Sequence, residues 1–431
     1  MTAPLVHGTP EADRRLQEIT ARSIETSPEL ESRVRHIVED IRQSGDRALL
    51  KYTEEFDGVT LTPGQLQVDP QAIEKAYNRS DPGLLEVLES AAANIRRFHE
   101  AQKRESWFVE DGDGVVLGKR ITPLERVGIL VPGASAPLFS TLLMAAIPAQ
   151  VAGVDHLTLV TPPQPDGQVH PAVLAAAHIV GIDTVYRVFG AQAVAALAYG
   201  TESIERVDKL VGPGHPSVQI AKRLVYGQVD IDMIAGPSEI VVLADDSAEA
   251  RHVAADMLSQ AEHGSGYEAA VCITTSPELA RSVSEEIDRQ LPDLSHRNAA
   301  EQALARYGAI FVTSEISDGI DLVNRIAPEH VELIVDDPWS VQEGIRHAGA
   351  VFLGPASSEP VGDYFAGTNH ILPTAGAARY ASSVGVDTYC KDISVVAYTQ
   401  ERLSKVGVQI IALAEAEGLD GHANAIRLRL D

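Results

Sequence analysis

A chain of 431 residues, 45% of them hydrophobic, can bury more than one core, because single cores stop growing at about 250 to 300 residues. A formal charge of -26 with an isoelectric point near 4.9 excludes the clustered Lys and Arg that nucleic acids and anionic lipid heads require, so neither is an expected partner. No apolar run reaches the roughly 18 residues of a membrane span, the first residues are polar and helical, and the two cysteines, Cys272 and Cys390, form no CxxC. A cytoplasmic chain without a disulfide framework or a thiolate metal site is expected.

In chain order, the segment up to about residue 100 reads as helices. Ser27-Pro28 is a cap and first-turn pair ahead of Val34, Ile37, Val38 and Ile41, and Gly45 stops that helix. Asp81-Pro82 opens another that carries Leu84, Leu85, Leu88, Ala92 and Ile95. From Arg126 short apolar runs alternate with helical stretches, the pattern of a parallel sheet flanked by helices. Strands are expected at 127–131, 157–160, 185–188 and 208–211, with helices near 138–152, 171–180, 191–198 and 216–225 between or after them. The alternation restarts with 239–244, a long helix from Ser247 to Glu262, and further strands at 269–275, 308–312, 330–335 and 350–354. Two such units suggest a duplication, although no sequence period proves it. After about Ala375 the strand signal fades into two amphipathic helices, Leu403 to Ala416 and Ala423 to Leu430, separated by Gly418 and Gly421.

The expected fold is therefore α/β, two tandem Rossmann-like units with parallel sheets plus a helical N-terminal segment and a small helical C-terminal tail. The expected divisions are an N-terminal helical segment 1–25, a helical part 26–118 packing on the second α/β unit, Rossmann-like units at 119–238 and 239–374, and the tail 375–431.

Gln260 and His263 are three apart at the end of a helix and share one face, where an amide oxygen and an imidazole could reach a metal; a solvated pair would have the same spacing. A site without thiolates needs further ligands, and Asp363, His370 and His422 are oxygen and nitrogen candidates in loops or beside glycine. Glu329-His330 stands at the entrance of an apolar strand, offering a carboxylate and a proton shuttle, although neighbouring strand residues ordinarily face opposite ways. The turn Gly236-Pro237-Ser238 enters the first strand of the second unit and serves equally as a ligand contact or a plain turn. The loops 131–137 and 212–217 follow strands of the first unit with glycines ahead of helix starts, where a pyrophosphate could meet free amides, but neither is a GxGxxG. Cys272 in its apolar run is most simply core.

The segments IDMIAGPSEIVVLADDSAEARHVAADMLSQAEHG, APEHVE, EPVGDYFAGTNHILPT and GLDGHANAIRLR, in this order and spacing, resemble the histidinol dehydrogenase family from about Arg126 to the C-terminus. The resemblance implies one zinc per subunit, held by Gln260, His263 and Asp363 of one chain and by His422 of the other, with Glu329 and His330 as the catalytic pair. It further implies that Ser238, Gln260, His263, His330, Asp363, His370, Glu417 and His422 contact the substrate. The implied reaction is oxidation of L-histidinol through L-histidinal to L-histidine with two NAD, in histidine biosynthesis, by a homodimer that shares its active sites through an exchanged tail. The implied NAD contacts are Gln192, Leu130 and His215; Leu130 stands where the family has tyrosine, His215 where it has asparagine, and Ala134 where it more often has a second glycine. Those departures leave open a family relative that oxidises another small alcohol, such as a sulfopropanediol, and a zinc hydrolase with Glu329 as base is the reading from another class. Glu417 favours the first reading, because an acidic residue suits a cationic substrate.

Overall fold

The computed structural model describes residues 3–22, 27–133 and 137–430. Its first parallel sheet has five strands in the order Val185–Tyr186, His156–Val160, Arg126–Leu130, Lys209–Val211 and Asp230–Ile231. Numbered within the unit, this is the order 3-2-1-4-5. The second sheet has six parallel strands, Leu5–Val6, Ala309–Val312, Ala269–Thr274, Glu239–Ala244, His330–Ile334 and Ala350–Leu353. Without its N-terminal edge strand it repeats the same order, so the likeness of the two units extends to topology. Strands such as Glu239–Ala244 and Ala269–Thr274 are buried along their whole length, as helices on both faces of a parallel sheet require.

The helices start where the capping residues predict. Ser27 caps Pro28–Ser44 by accepting from the Leu30 amide, Asp81 caps Pro82–Glu100 through the Leu84 amide, and Gly45 follows the first of these with φ 52°. The helix read from Ser247 begins only at Ala250, because Asp245 and Ser247 form a side-chain-bonded turn ahead of it.

Two expectations are corrected. The helices of 26–118 pack on the first unit, not the second: Val34, Ile37, Ile41 and Leu49 join Leu130, Val160 and Leu197, while Leu88, Ala91 and Ile95 join Leu142, Met144 and Ile147. Periodicity shows that a helix buries a face but not against what. The deciding feature is that Phe139–Ala152 and Ala191–Tyr199 are apolar all round and need a second layer over them. Of the described N-terminal helices it is Pro10–Thr20 that joins the core of the second unit, placing Ala12, Leu16 and Ile19 against Leu243, Ile273 and Phe311.

The second correction is a three-stranded antiparallel sheet of Trp107–Asp111, Val115–Pro123 and Cys390–Tyr398. Neither 26–118 nor 375–431 is therefore wholly helical, and residue 119 lies inside a strand. Lys391, Asp392 and Ser394 break any apolar alternation in the last strand, and its partner lies far away in sequence, so no local signal marked it. Cys390 opens this strand. The helices Gln400–Ala416 and Asp420–Leu430 end the chain as expected.

Candidate functional site

The helix Ile316–Ile326 stops at Ala327, which adopts a left-handed φ of 52°, and Pro328 turns the chain into the strand His330–Ile334. Glu329 thus lies just before the pleat, so strand alternation does not separate it from His330. The two side chains stay together, with Glu329 Oε2 3.6 Å from His330 Nδ1, and both are buried. Glu239, opening the neighbouring strand, holds both: its amide donates to Glu329 Oε2 at 3.0 Å, and its carbonyl accepts from His330 Nδ1 at 3.1 Å. That bond leaves Nε2 as the free ring nitrogen, with no hydrogen-bond partner among the described residues.

Burial pushes the Glu329 carboxyl up to about 7 against the opposing pull of His330. Burial alone would depress His330, but the Glu329 and Asp363 carboxylates override it and hold the imidazole at about 10. Asp363 lies in the π-helical turn Gly362–Ala366, an irregularity that commonly marks functional sites, with Oδ1 3.6 Å from His330 Nε2. His370 Nδ1 donates to the Asp363 carbonyl at 3.0 Å, and its Nε2 meets the Thr141 hydroxyl of the first unit at 3.3 Å.

His330, Glu359 and Asp363 offer ligand atoms that all lie within 4.8 Å of one another. Gln260, in the last turn of Ala250–Ala261, is fully buried, and both its amide atoms lack a protein partner. A fully buried amide with no partner is costly, and a ligand that takes its oxygen relieves the cost. His263, just past the end of the same helix, is exposed, and desolvation by its surroundings lowers its imidazole below the usual range, which favours the neutral form a ligand needs. This oxygen and nitrogen donor set fits zinc.

Ser238 sits at the same edge, its carbonyl accepting from the Ala269 amide. His422 and Glu417 are not brought to this cluster. Both are exposed on the C-terminal helical hairpin, whose two helices pack on each other.

Glu359 was missed by sequence reasoning. It is buried, its carboxylate accepts from Ser259 at 3.3 Å, its amide donates to Glu332 Oε1 at 2.6 Å, and burial beside Asp363 keeps its proton on. The available signal was Glu332, a lone acid in the fully buried run HVELI. The Glu329–His330 pair also lies at the amino end of its sheet, whereas ligands of open α/β sheets ordinarily sit at the carboxyl ends.

The carboxyl ends of the first sheet carry the other loops of interest. Residues 134–136 of the loop after Arg126–Leu130 lie outside the described residues. After Lys209–Val211, Gly212 has φ 125°, and a Cβ there would strike the Leu130 carbonyl, so only glycine fits the approach of the two loops. His215 is exposed at the start of Pro216–Val225. Gln192, in the first turn of Ala191–Tyr199, is buried with Oε1 unpartnered. Leu130 differs: its side chain is wholly buried in the core and has no surface to offer a cofactor.

Comparison with known proteins agrees with this geometry. The sequence profile of the family described as Histidinol dehydrogenase matches residues 20–430. A histidinol dehydrogenase of Halalkalibacterium halodurans is 49% identical over 411 residues, covering 95% of this chain and 96% of the relative. One from Syntrophotalea carbinolica is 49% identical over 416 residues, covering 96% of each. The crystal structure of histidinol dehydrogenase from Elizabethkingia anophelis superposes with a TM-score of 0.93 at 38% identity, covering 99% of this chain and 98% of that one. This chain belongs to the histidinol dehydrogenase family of NAD-dependent oxidoreductases.

Proposed function

We propose that the chain oxidises L-histidinol through L-histidinal to L-histidine in the cytoplasm, a four-electron reaction of histidine biosynthesis that uses two NAD and one zinc per subunit. The observation that carries this reading is the buried Glu329–His330 pair set beside Asp363 and the unpartnered amide of Gln260. Gln260, His263 and Asp363 would hold zinc together with the partner's His422. When bound, zinc would supply a Lewis-acid template that orients the substrate for reaction at its carbinol carbon.

The chain's own groups divide the proton work. His330, its Nδ1 tied to the Glu239 carbonyl, presents Nε2 to take the alcohol proton as the first hydride leaves for NAD. With Asp363 engaged by a cation, one of the carboxylates that hold a proton on Nε2 is withdrawn, and His330 moves toward the range of a base. Glu329 then takes a proton from the water that attacks the aldehyde while His330 returns its proton to the aldehyde oxygen, giving a gem-diol from which the second hydride departs to NAD. His370, fixed between Asp363 and Thr141, borders the same space and is positioned to contact the substrate, as is Ser238. NAD would lie at the carboxyl edge of the first sheet near Gln192 and His215. The partner's Glu417 would meet the cationic substrate.

The test is the yield of NADH from a limiting amount of L-histidinol, with purified, zinc-loaded protein and excess NAD. Two NADH per substrate, abolished by a chelator, is the expected result; no NADH would move the reading to another small alcohol.

A further inference from the structure

Arg22 follows the helix Pro10–Thr20, the cover of the second unit, and is itself buried. Its Nη2 lies 2.9 Å from Glu239 Oε2, with side-chain exposures of 1% and 3%. The Tyr307 ring flanks the guanidinium, 5.6 Å from Cζ to the ring centroid. The other carboxylate oxygen of Glu239 accepts from the Ala375 amide.

Glu239 is thus pinned by its side chain while its backbone grips both Glu329 and His330. The charge balance points the same way. Burial raises the Glu239 carboxyl, and the Arg22 guanidinium 2.9 Å away is the cation that opposes that rise and favours its charged form. A buried ion pair that loses one partner leaves an uncompensated charge, so Glu239 without Arg22 would take up a proton or turn away, and the strand entrance would loosen with it.

Among the described residues Arg22 Nε and Nη1 have no hydrogen-bond partner, and Arg22 lines a cavity of about 240 Å³ together with Gln219, Gly236, Thr374 and Tyr380. Removing this side chain would join the space it fills to that cavity, where a small cation could enter.

We propose that Arg22 is a positioning residue, whose ion pair with Glu239 holds the strand entrance from which Glu329 and His330 act. This rests on Glu329 and His330 being the catalytic pair. The experiment uses the zinc-loaded enzyme with saturating NAD. Arg22→Ala is expected to lower kcat about tenfold or more, leaving the KM for NAD and the zinc content unchanged, because a small displacement of reacting groups is costly. Guanidinium chloride at low millimolar concentration should restore part of the loss, whereas equal ammonium chloride should not. A folded Arg22→Ala enzyme with kcat within twofold of the parent, or a deficit that guanidinium leaves untouched, overturns the proposal. Should Arg22→Ala fail to fold, Arg22→Gln, which keeps the bulk but removes the charge, decides: a lowered kcat at unchanged NAD KM supports the assignment and parental kcat overturns it. A separate Glu329→Gln enzyme of full activity would remove the catalytic reading itself, whatever Arg22 does.

Discussion

The Glu329–His330 pair was visible in the sequence as a dipeptide, but its electrostatic setting was not. Glu239, which orders the pair through its backbone, and Arg22, which neutralises Glu239, are separated from it by long stretches of chain, and neither residue type at those positions carries a local signal. Gln260 and His263 were legible through their helical spacing, whereas Glu359 reads as an ordinary acid beside a proline until burial is known. With its carboxyl pushed up to about 7 by burial, Glu329 gains its basic form as pH rises through that range, so aldehyde oxidation should rise with it. Glu329→Gln is expected to slow histidinal oxidation about 10²- to 10⁴-fold and histidinol oxidation less, with that pH limb lost. Pre-steady-state NADH formation from each substrate checks this, and equal slowing of both would remove Glu329 as the water activator.

At the level of elements, caps and periodicity located the helices, and apolar runs located the strands of both parallel sheets. The antiparallel strands 107–123 and 390–398 escaped because sheet pairing over so long a span leaves no periodic trace when polar residues occupy both faces. One helix carries a local conflict that can be measured. Asp57 ends Asp46–Asp57, where the negative pole of the helix opposes a carboxylate, and its Oδ2 has no partner. Burial raises its pKa from 3.8 to about 6. The folded state therefore holds this proton more tightly than the unfolded chain, and the stability it adds below about pH 3.8 is lost as pH rises through about 6. Asp57→Asn is expected to stabilise the protein by roughly 1 to 2 kcal/mol at pH 8, after discounting for partial solvent screening, and to change little near pH 4. Chemical unfolding at the two pH values measures it.

For the whole molecule, the antiparallel sheet and the C-terminal hairpin each carry several exposed apolar residues. Val396, Val408, Leu413 and Leu428 are 67 to 71% exposed, and Trp107, Phe108 and Val109 are at least half exposed. A second copy of the chain would cover such a face and bring its His422 and Glu417 to the site. Described residues include no helix long and apolar enough to cross a membrane. His422→Ala and His330→Ala are each expected to be inactive alone. Random mixing of the two should recover roughly a quarter of parental activity, because half of the dimers are hybrids and each hybrid has one intact site. Subunit exchange followed by an NADH assay tests this, and a verified hybrid with no activity would count against a shared site.

The short stretch 232–238 joins the carboxyl edge of one sheet to the amino edge of the other, and the Ala235 amide is tied to Gln219 and the Gly236 amide to Thr374. It acts as a caliper. In most loops an added residue is absorbed by solvent, but here it would shift one sheet edge against the other by about 3.5 Å, as large as the separation across which a hydride must pass. The length of this connector is therefore under a constraint that its turn-like composition does not reveal.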